Sequence, residues 1–172
     1  TYAEPMVQGQ GLASVNNGSS SGVLVRGLSG DAMRGRDILV QNIVRGSLQP
    51  FGEGGAEAAI GYRLANKLGL QPGDKLKLLS PKGSVSPFGS VPRAKTFEVA
   101  AIFDVGMYEY DSSFVYVPLR TAQRLFGTGD GVTSVELLLA DPNALDTARE
   151  TVRRALPRDR AFRVYDLSLI HI

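Results

Sequence analysis

The chain has 172 residues, with 19 Lys or Arg against 17 Asp or Glu, for a formal net charge of +2. A domain of this size buries about 70% of its unfolded surface, so it folds without staples, and a charge this balanced excludes a general nucleic-acid binder. With no cysteine and one histidine, a disulfide framework, a thiol nucleophile and the common His/Cys metal sites are excluded as well.

The chain opens on Thr1 without a basic stretch leading into an apolar one, so no signal peptide is expected, and the missing Met points to a segment of a longer protein. No run of about 18 apolar residues occurs, so no membrane-crossing helix is expected. Met6 to Val15 and Gly22 to Leu28 read as strands around the turn-rich Asn16-Asn17-Gly18-Ser19-Ser20-Ser21. Residues 31–46 are mixed, with Ile38, Leu39, Ile43 and Val44 at loosely helical spacing. A helix is predicted from about Gly55 to Leu68, because Ile60, Leu64 and Leu68 recur every four residues and Gly69 stands where a left-handed cap belongs. Leu70-Gln71-Pro72-Gly73-Asp74 turns the chain into Lys75-Leu76-Lys77-Leu78-Leu79, which alternates like a half-buried strand.

Further strands are predicted at Thr96 to Asp104 and Phe114 to Val117. Pro118 opens a helix through Ala122, Leu125 and Phe126 that Gly127 ends. After a strand at Val135 to Leu139, Asp141-Pro142 supplies an N-cap and first-turn proline. Leu145, Ala148, Val152 and Leu156 then share one helical face. Pro157 stops that helix and Ala161 to Tyr165 reads as strand, closing a β-α-β unit over 132–166. Leu167-Ser168-Leu169-Ile170-His171-Ile172 reads as a non-native tail, matching one reading frame of a sequencing-library transposon end; a native apolar strand is the alternative. His171 falls there, so no site is built on it.

Catalytic equipment is sparse. Asp104, Glu109 and Asp111 cluster in sequence and suit acid–base work or a hard cation, but carboxylates in a strand-connecting loop is the simpler reading. Gly52-Glu53-Gly54-Gly55 precedes the predicted helix, yet it lacks a P-loop lysine, and Glu53 and Glu57 repel phosphate. Gly9-Gln10-Gly11 falls within a strand, so it is not a dinucleotide fingerprint. Arg149, Arg153, Arg154, Arg158, Arg160 and Arg163 give the last unit a basic bias, read first as a solvated helix face and otherwise as a contact with anions.

The segment Ser80 to Lys95 stands apart. It joins two predicted strands and holds Pro81, Pro87 and Pro92, which fix φ and stiffen an arm. A connection this long without periodicity is usually functional or disordered. Phe88 and Val91 lie near its tip, and Lys82, Arg93 and Lys95, with Lys77, at its base. Such an arm suits a hydrophobic groove on an acidic-rimmed partner; the alternative is that Phe88 folds back on its own sheet.

Here the sequence resembles a family. Ser86-Pro87-Phe88-Gly89-Ser90-Val91-Pro92-Arg93-Ala94-Lys95-Thr96-Phe97-Glu98-Val99 looks like LolC/LolE, the permease subunits of the bacterial lipoprotein-releasing ABC transporter. So do Ile102-Phe103-Asp104-Val105-Gly106-Met107-Tyr108-Glu109-Tyr110-Asp111, Val115-Tyr116-Val117-Pro118-Leu119, Ile60-Gly61-Tyr62-Arg63-Leu64-Ala65 and Leu70-Gln71-Pro72-Gly73-Asp74. The resemblance implies an α+β, MacB-like periplasmic domain of an inner-membrane protein. A porter-like α/β part would join a strand-rich part carrying a protruding β-hairpin arm. Residues 1–22 would be the remnant of the first porter-like half, 23–131 the strand-rich part with its arm at 80–96, 132–166 the returning half, and 167–172 the tail.

The resemblance further implies no catalysis and no cofactor in this chain, ATP hydrolysis falling to the separate subunit LolD, reached through a membrane part. It implies a second permease subunit (LolE, LolC or a copy of this chain), outer-membrane lipoproteins as substrates, and the carrier LolA as the recipient. Pro87, Phe88, Gly89, Val91 and Pro92 would form a hook entering LolA, and Lys77, Arg93 and Lys95 a supporting pad. Phe88 stands where Met is expected in some members, and Ala94 where a polar pad residue is expected. The alternatives are the extracytoplasmic domain of another MacB- or FtsX-type permease, or a soluble strand-rich enzyme or binding module.

Overall fold

A computed structural model of the chain describes residues 2–86, 89–139, 141, 144–157 and 162–164. They form two compact units, Glu4–Glu136 and Thr1–Ala3 with Leu137–Ile172. The first holds β1 (Tyr2–Ser14, from Glu4), β2 (Ser20–Leu28), α1 (Gly30–Arg34), α2 (Asp37–Val40), β3 (Ile43–Gly46), β4 (Glu57–Gly61) and α3 (Tyr62–Leu68). It continues through β5 (Lys75–Ser86), β6 (Gly89–Phe103), α4 (Tyr108–Ser113), β7 (Phe114–Pro118), α5 (Leu119–Phe126) and the start of β8 (Ser134–Leu138); the second unit holds α6 (Leu145–Ala155).

The strand order runs β2-β7-β4-β6-β5-β1-β8, and β1 also pairs with β2, so six strands close into a ring. β2–β7 and β4–β6 are parallel; β7–β4, β6–β5, β5–β1 and β1–β2 are antiparallel. β3 adds to β6 outside the ring. Closure leaves no free edge around the ring, the usual hazard of an open sheet. Every ring strand contributes to one buried cluster, among them Val7, Val25, Ile60, Leu78, Phe97 and Val115, and α3 and α5 complete it with Leu64, Leu68, Ala122 and Leu125. Across the strands, Leu28, Ala59, Phe103 and Tyr116 meet Met33 and Leu39 of α1 and α2 and Phe51 in a second cluster. β7 is therefore buried at every position, as its unbroken apolar run requires.

Two glycines make room for α5. A Cβ on Gly27 would lie 2.2 Å from the Ala122 Cβ, and one on Gly9 would lie 2.4 Å from the Phe126 ring. The Gly9-Gln10-Gly11 stretch is thus a packing surface within β1, in line with its reading as strand. α5 ends where expected, with Gly127 at φ +67°, as α3 does at Gly69 with φ +69°.

Two expectations are corrected. The helix predicted from Gly55 begins at Tyr62; residues 57–61 are β4. Ile60 does share the buried cluster with Leu64 and Leu68, so the four-residue spacing ran across a strand–helix junction. α6 runs from Leu145 with Ala144 at its N-cap position; Pro142, of the expected Asp141-Pro142 start, lies outside the described residues. Residues 162–164 are not strand; Ala161 and Tyr165, the ends of that predicted strand, lie outside the described residues, as does the 167–172 tail. β1 pairs with β2 from Val7↔Gly27 to Ser14↔Ser20, and both belong to the ring.

Candidate functional site

β5 and β6 pair beyond the ring. β1 reaches β5 only at Leu12↔Leu79, Ala13↔Leu78 and Ser14↔Lys77, and β4 meets β6 only from Glu98 onward. Beyond both limits the two strands pair only with each other, from Ser80↔Arg93 to Ser86↔Gly89. The ladder is interrupted once: Ser80 opposes Arg93 and Ser84 opposes Val91, so Pro81, Lys82 and Gly83 stand against Pro92 alone. Neither proline has an amide to donate, and a bulge is where a sheet tolerates that.

The register sorts the predicted pad. Directly opposed residues share a face, and faces alternate along a strand. Arg93 and Lys95 therefore lie on the side of Phe97, which opposes Leu76, both buried. Lys77 lies on the other side with Thr96, flanked by the exposed Lys75–Glu98 ion pair at 2.7 Å. The structure brings Arg93 and Lys95 together and leaves Lys77 apart. Lys95 is exposed and Arg93 half-buried. The Arg93 guanidinium is seated over Gly127, so close that a Cβ there would lie 2.2 Å from its Nη1; a cation at this place complements the C-terminal end of α5. Ser80, opposite Arg93, is fully buried, and its Oγ has no partner. Of the predicted hook, Gly89 and Val91 lie on β6 and Pro92 is exposed; Pro87 and Phe88 lie outside the described residues.

The remaining candidates prove structural. The Gly52–Gly55 loop leads into β4 rather than a helix, and its anion is its own: the Glu57 carboxylate accepts from the amides of Gly52, Gly54 and Gly55 at 3.2, 2.9 and 3.0 Å. Asp111 is 1% exposed and accepts the Val105 amide at 2.9 Å through Oδ1, while its buried Oδ2 has no hydrogen-bond partner. Burial raises its carboxyl above the ordinary 3.8, the Val105 amide opposes this, and Asp104 nearby adds to the rise. Among the described residues no cluster of three metal-ligating side chains occurs. On α6, Arg154 pairs with Glu150 at 2.8 Å and Arg149 with Asp146 at 4.0 Å, fitting a solvated face; Arg158 and Arg160 lie outside the described residues.

One cluster has no signal in the sequence. Arg26 of β2 and Arg36, the residue capping α2, both engage Glu136 of β8, with Tyr116 buried beside them. Burial raises the Tyr116 phenol above its ordinary 10.0, and the two arginines hold it back. Arg36 and Glu136 are 100 residues apart, so no local pattern announces the pairing.

Residues 1–155 match the family described as the MacB-like periplasmic core domain. The chain is 31% identical over 157 residues to the lipoprotein-releasing system transmembrane protein LolC of Neisseria meningitidis serogroup B, covering 91% of this chain and 38% of that one. It is 34% identical over 118 residues to LolC of Xylella fastidiosa strain 9a5c, covering 68% and 28%. The chain thus spans well under half of the curated relatives it matches. Among solved structures it resembles the extracellular domain of the noncanonic ABC-type transporter YknZ from Gram-positive bacteria, with a TM-score of 0.56 and 17% identity over 86% of this chain and 69% of that one. It also resembles the periplasmic region of MacB from Actinobacillus actinomycetemcomitans, with a TM-score of 0.56 and 12% identity over 90% and 66%. At these identities the two structures bear on fold alone.

Proposed function

The chain belongs to the MacB-like periplasmic core domain family, a non-catalytic periplasmic part of ABC transporter permeases, and from that premise we propose that it serves a LolC/LolE-type permease releasing outer-membrane lipoproteins. Its β5–β6 ribbon hands them to the periplasmic carrier LolA. The observation that carries the reading is that this ribbon, alone among the described ring strands, runs on as a pair after its outer neighbours have left it. The match to two LolC proteins supports the permease type.

In this reading Phe88, flanked by Pro87 and Gly89 and backed by Val91 and Pro92, enters an apolar cavity on LolA. Burying the ring contributes about 2–3 kcal/mol. Lys95 faces an acidic rim from one side of the ribbon; Arg93, seated over Gly127, and Lys77, on the opposite side, contribute little. The second permease subunit, LolE, LolC or a copy of this chain, and the ATPase LolD assemble with the whole protein through its membrane part. A photo-crosslinking residue at position 88 in the full-length permease tests the contact: it should capture LolA, whereas one at Lys75 on the ring should not. Equal capture from both positions, or none from position 88, would overturn the hook.

A further inference from the structure

The two guanidiniums that meet Glu136 come from different elements and are held from several sides. Arg36 Nη2 donates to Glu136 Oε2, and Arg26 Nη1 lies 3.9 Å from Oε1. Arg26 Nε donates to Gln8 Oε1 at 2.9 Å, and its guanidinium lies 4.5 Å from the Phe114 ring centroid and 5.8 Å from that of Tyr110. All three charged side chains are 13–16% exposed. The Arg36 Nε is buried without a partner, so that guanidinium depends on Glu136 for its compensation.

Apart from its pairing with β1, the described side chains of β8 give it little else to hold it. Its outward side chains, Val135 and Leu137, are 56% and 40% exposed, while its alternate positions, Ser134 and Glu136, are polar, and the Ser134 Oγ is unpartnered. Just before it, Thr133 donates its amide to Met6 O at 3.0 Å and accepts the Gln8 amide on Oγ1 at 2.7 Å. None of the described apolar side chains of this strand is buried, so they gain it little from the hydrophobic effect, whereas a largely buried carboxylate shared by two guanidiniums is costly to remove, because it leaves two desolvated cations facing one another.

We propose that the Arg26–Glu136–Arg36 cluster is an electrostatic latch that fastens β8 to the barrel, immediately before the chain enters its second compact unit at Leu137. Release of the latch frees β8 while the barrel stays folded.

Amide hydrogen exchange on the 172-residue chain, resolved by position, tests this. Glu136→Gln should speed exchange across 134–138 about tenfold or more, with β4 and β7 amides unchanged. Arg36→Met, which removes the other partner, should reproduce the pattern. Unchanged exchange in 134–138 in both variants would overturn the latch. So would equal acceleration in β4 and β7, which would make the cluster a general support of the barrel.

Discussion

At Asp111 a single carboxylate works against the fold it completes. One oxygen accepts the Val105 amide; the other is buried without a partner near Asp104. A carboxyl whose folded pKa is raised binds its proton more readily in the native state, so its cost is fully present above that pKa. The cost fades as the pH falls through the raised value towards the unfolded 3.8. Asp111→Asn keeps an acceptor for Val105 and gains a donor towards Asp104. It should raise stability near neutral pH by roughly 0.5–1 kcal/mol and flatten the pH dependence. Thermal melts of both proteins between about pH 4 and 8 should converge on the acid side; a variant less stable than the parent near neutrality would refute the assignment. The sequence shows three acidic residues in a loop, but which one is buried depends on how α4 packs, and that is settled by distant contacts. Glu57 is a similar case: its charge was legible as hostile to phosphate, its occupation of the glycine loop was not.

Elements whose boundaries are set by local chemistry were legible, and those set by packing were not. Proline, a four-residue spacing and a terminal glycine delimit α5 almost to the residue. β4 was hidden because Ala58, Ala59 and Ile60 are buried on both faces and so show no alternation; the apolar run merged with the stripe of α3. The 80–95 segment read as a stiff connection without periodicity, since a bulge opposite Pro92 breaks the alternation midway. Its pairing makes it a separable element. Joining Ser80 directly to Arg93 through an Asn-Gly turn, in place of residues 81–92, should remove from the circular dichroism only the strand signal of those residues and leave the melting midpoint within about 2–4 °C, equivalent to at most about 1 kcal/mol. Loss of cooperative unfolding would show that the ribbon is part of the barrel.

On the scale of the molecule, the closed ring is the least legible feature. A strand-rich middle was evident, but closure rests on β1 pairing with both β2 and β5, and on the parallel pairs β2–β7 and β4–β6. These join segments far apart in the chain, and no local pattern encodes them. The ring gives the proposed docking ribbon a base whose own strands present no free edge around the closure. The most direct test is a binding titration of LolA from the same source against the 172-residue chain and its Phe88→Glu variant. Saturable binding by the parent, lost in a variant with an unchanged melting curve, is the predicted result. Undiminished binding by the variant, or none by the folded parent, would contradict the hand-over role of the ribbon.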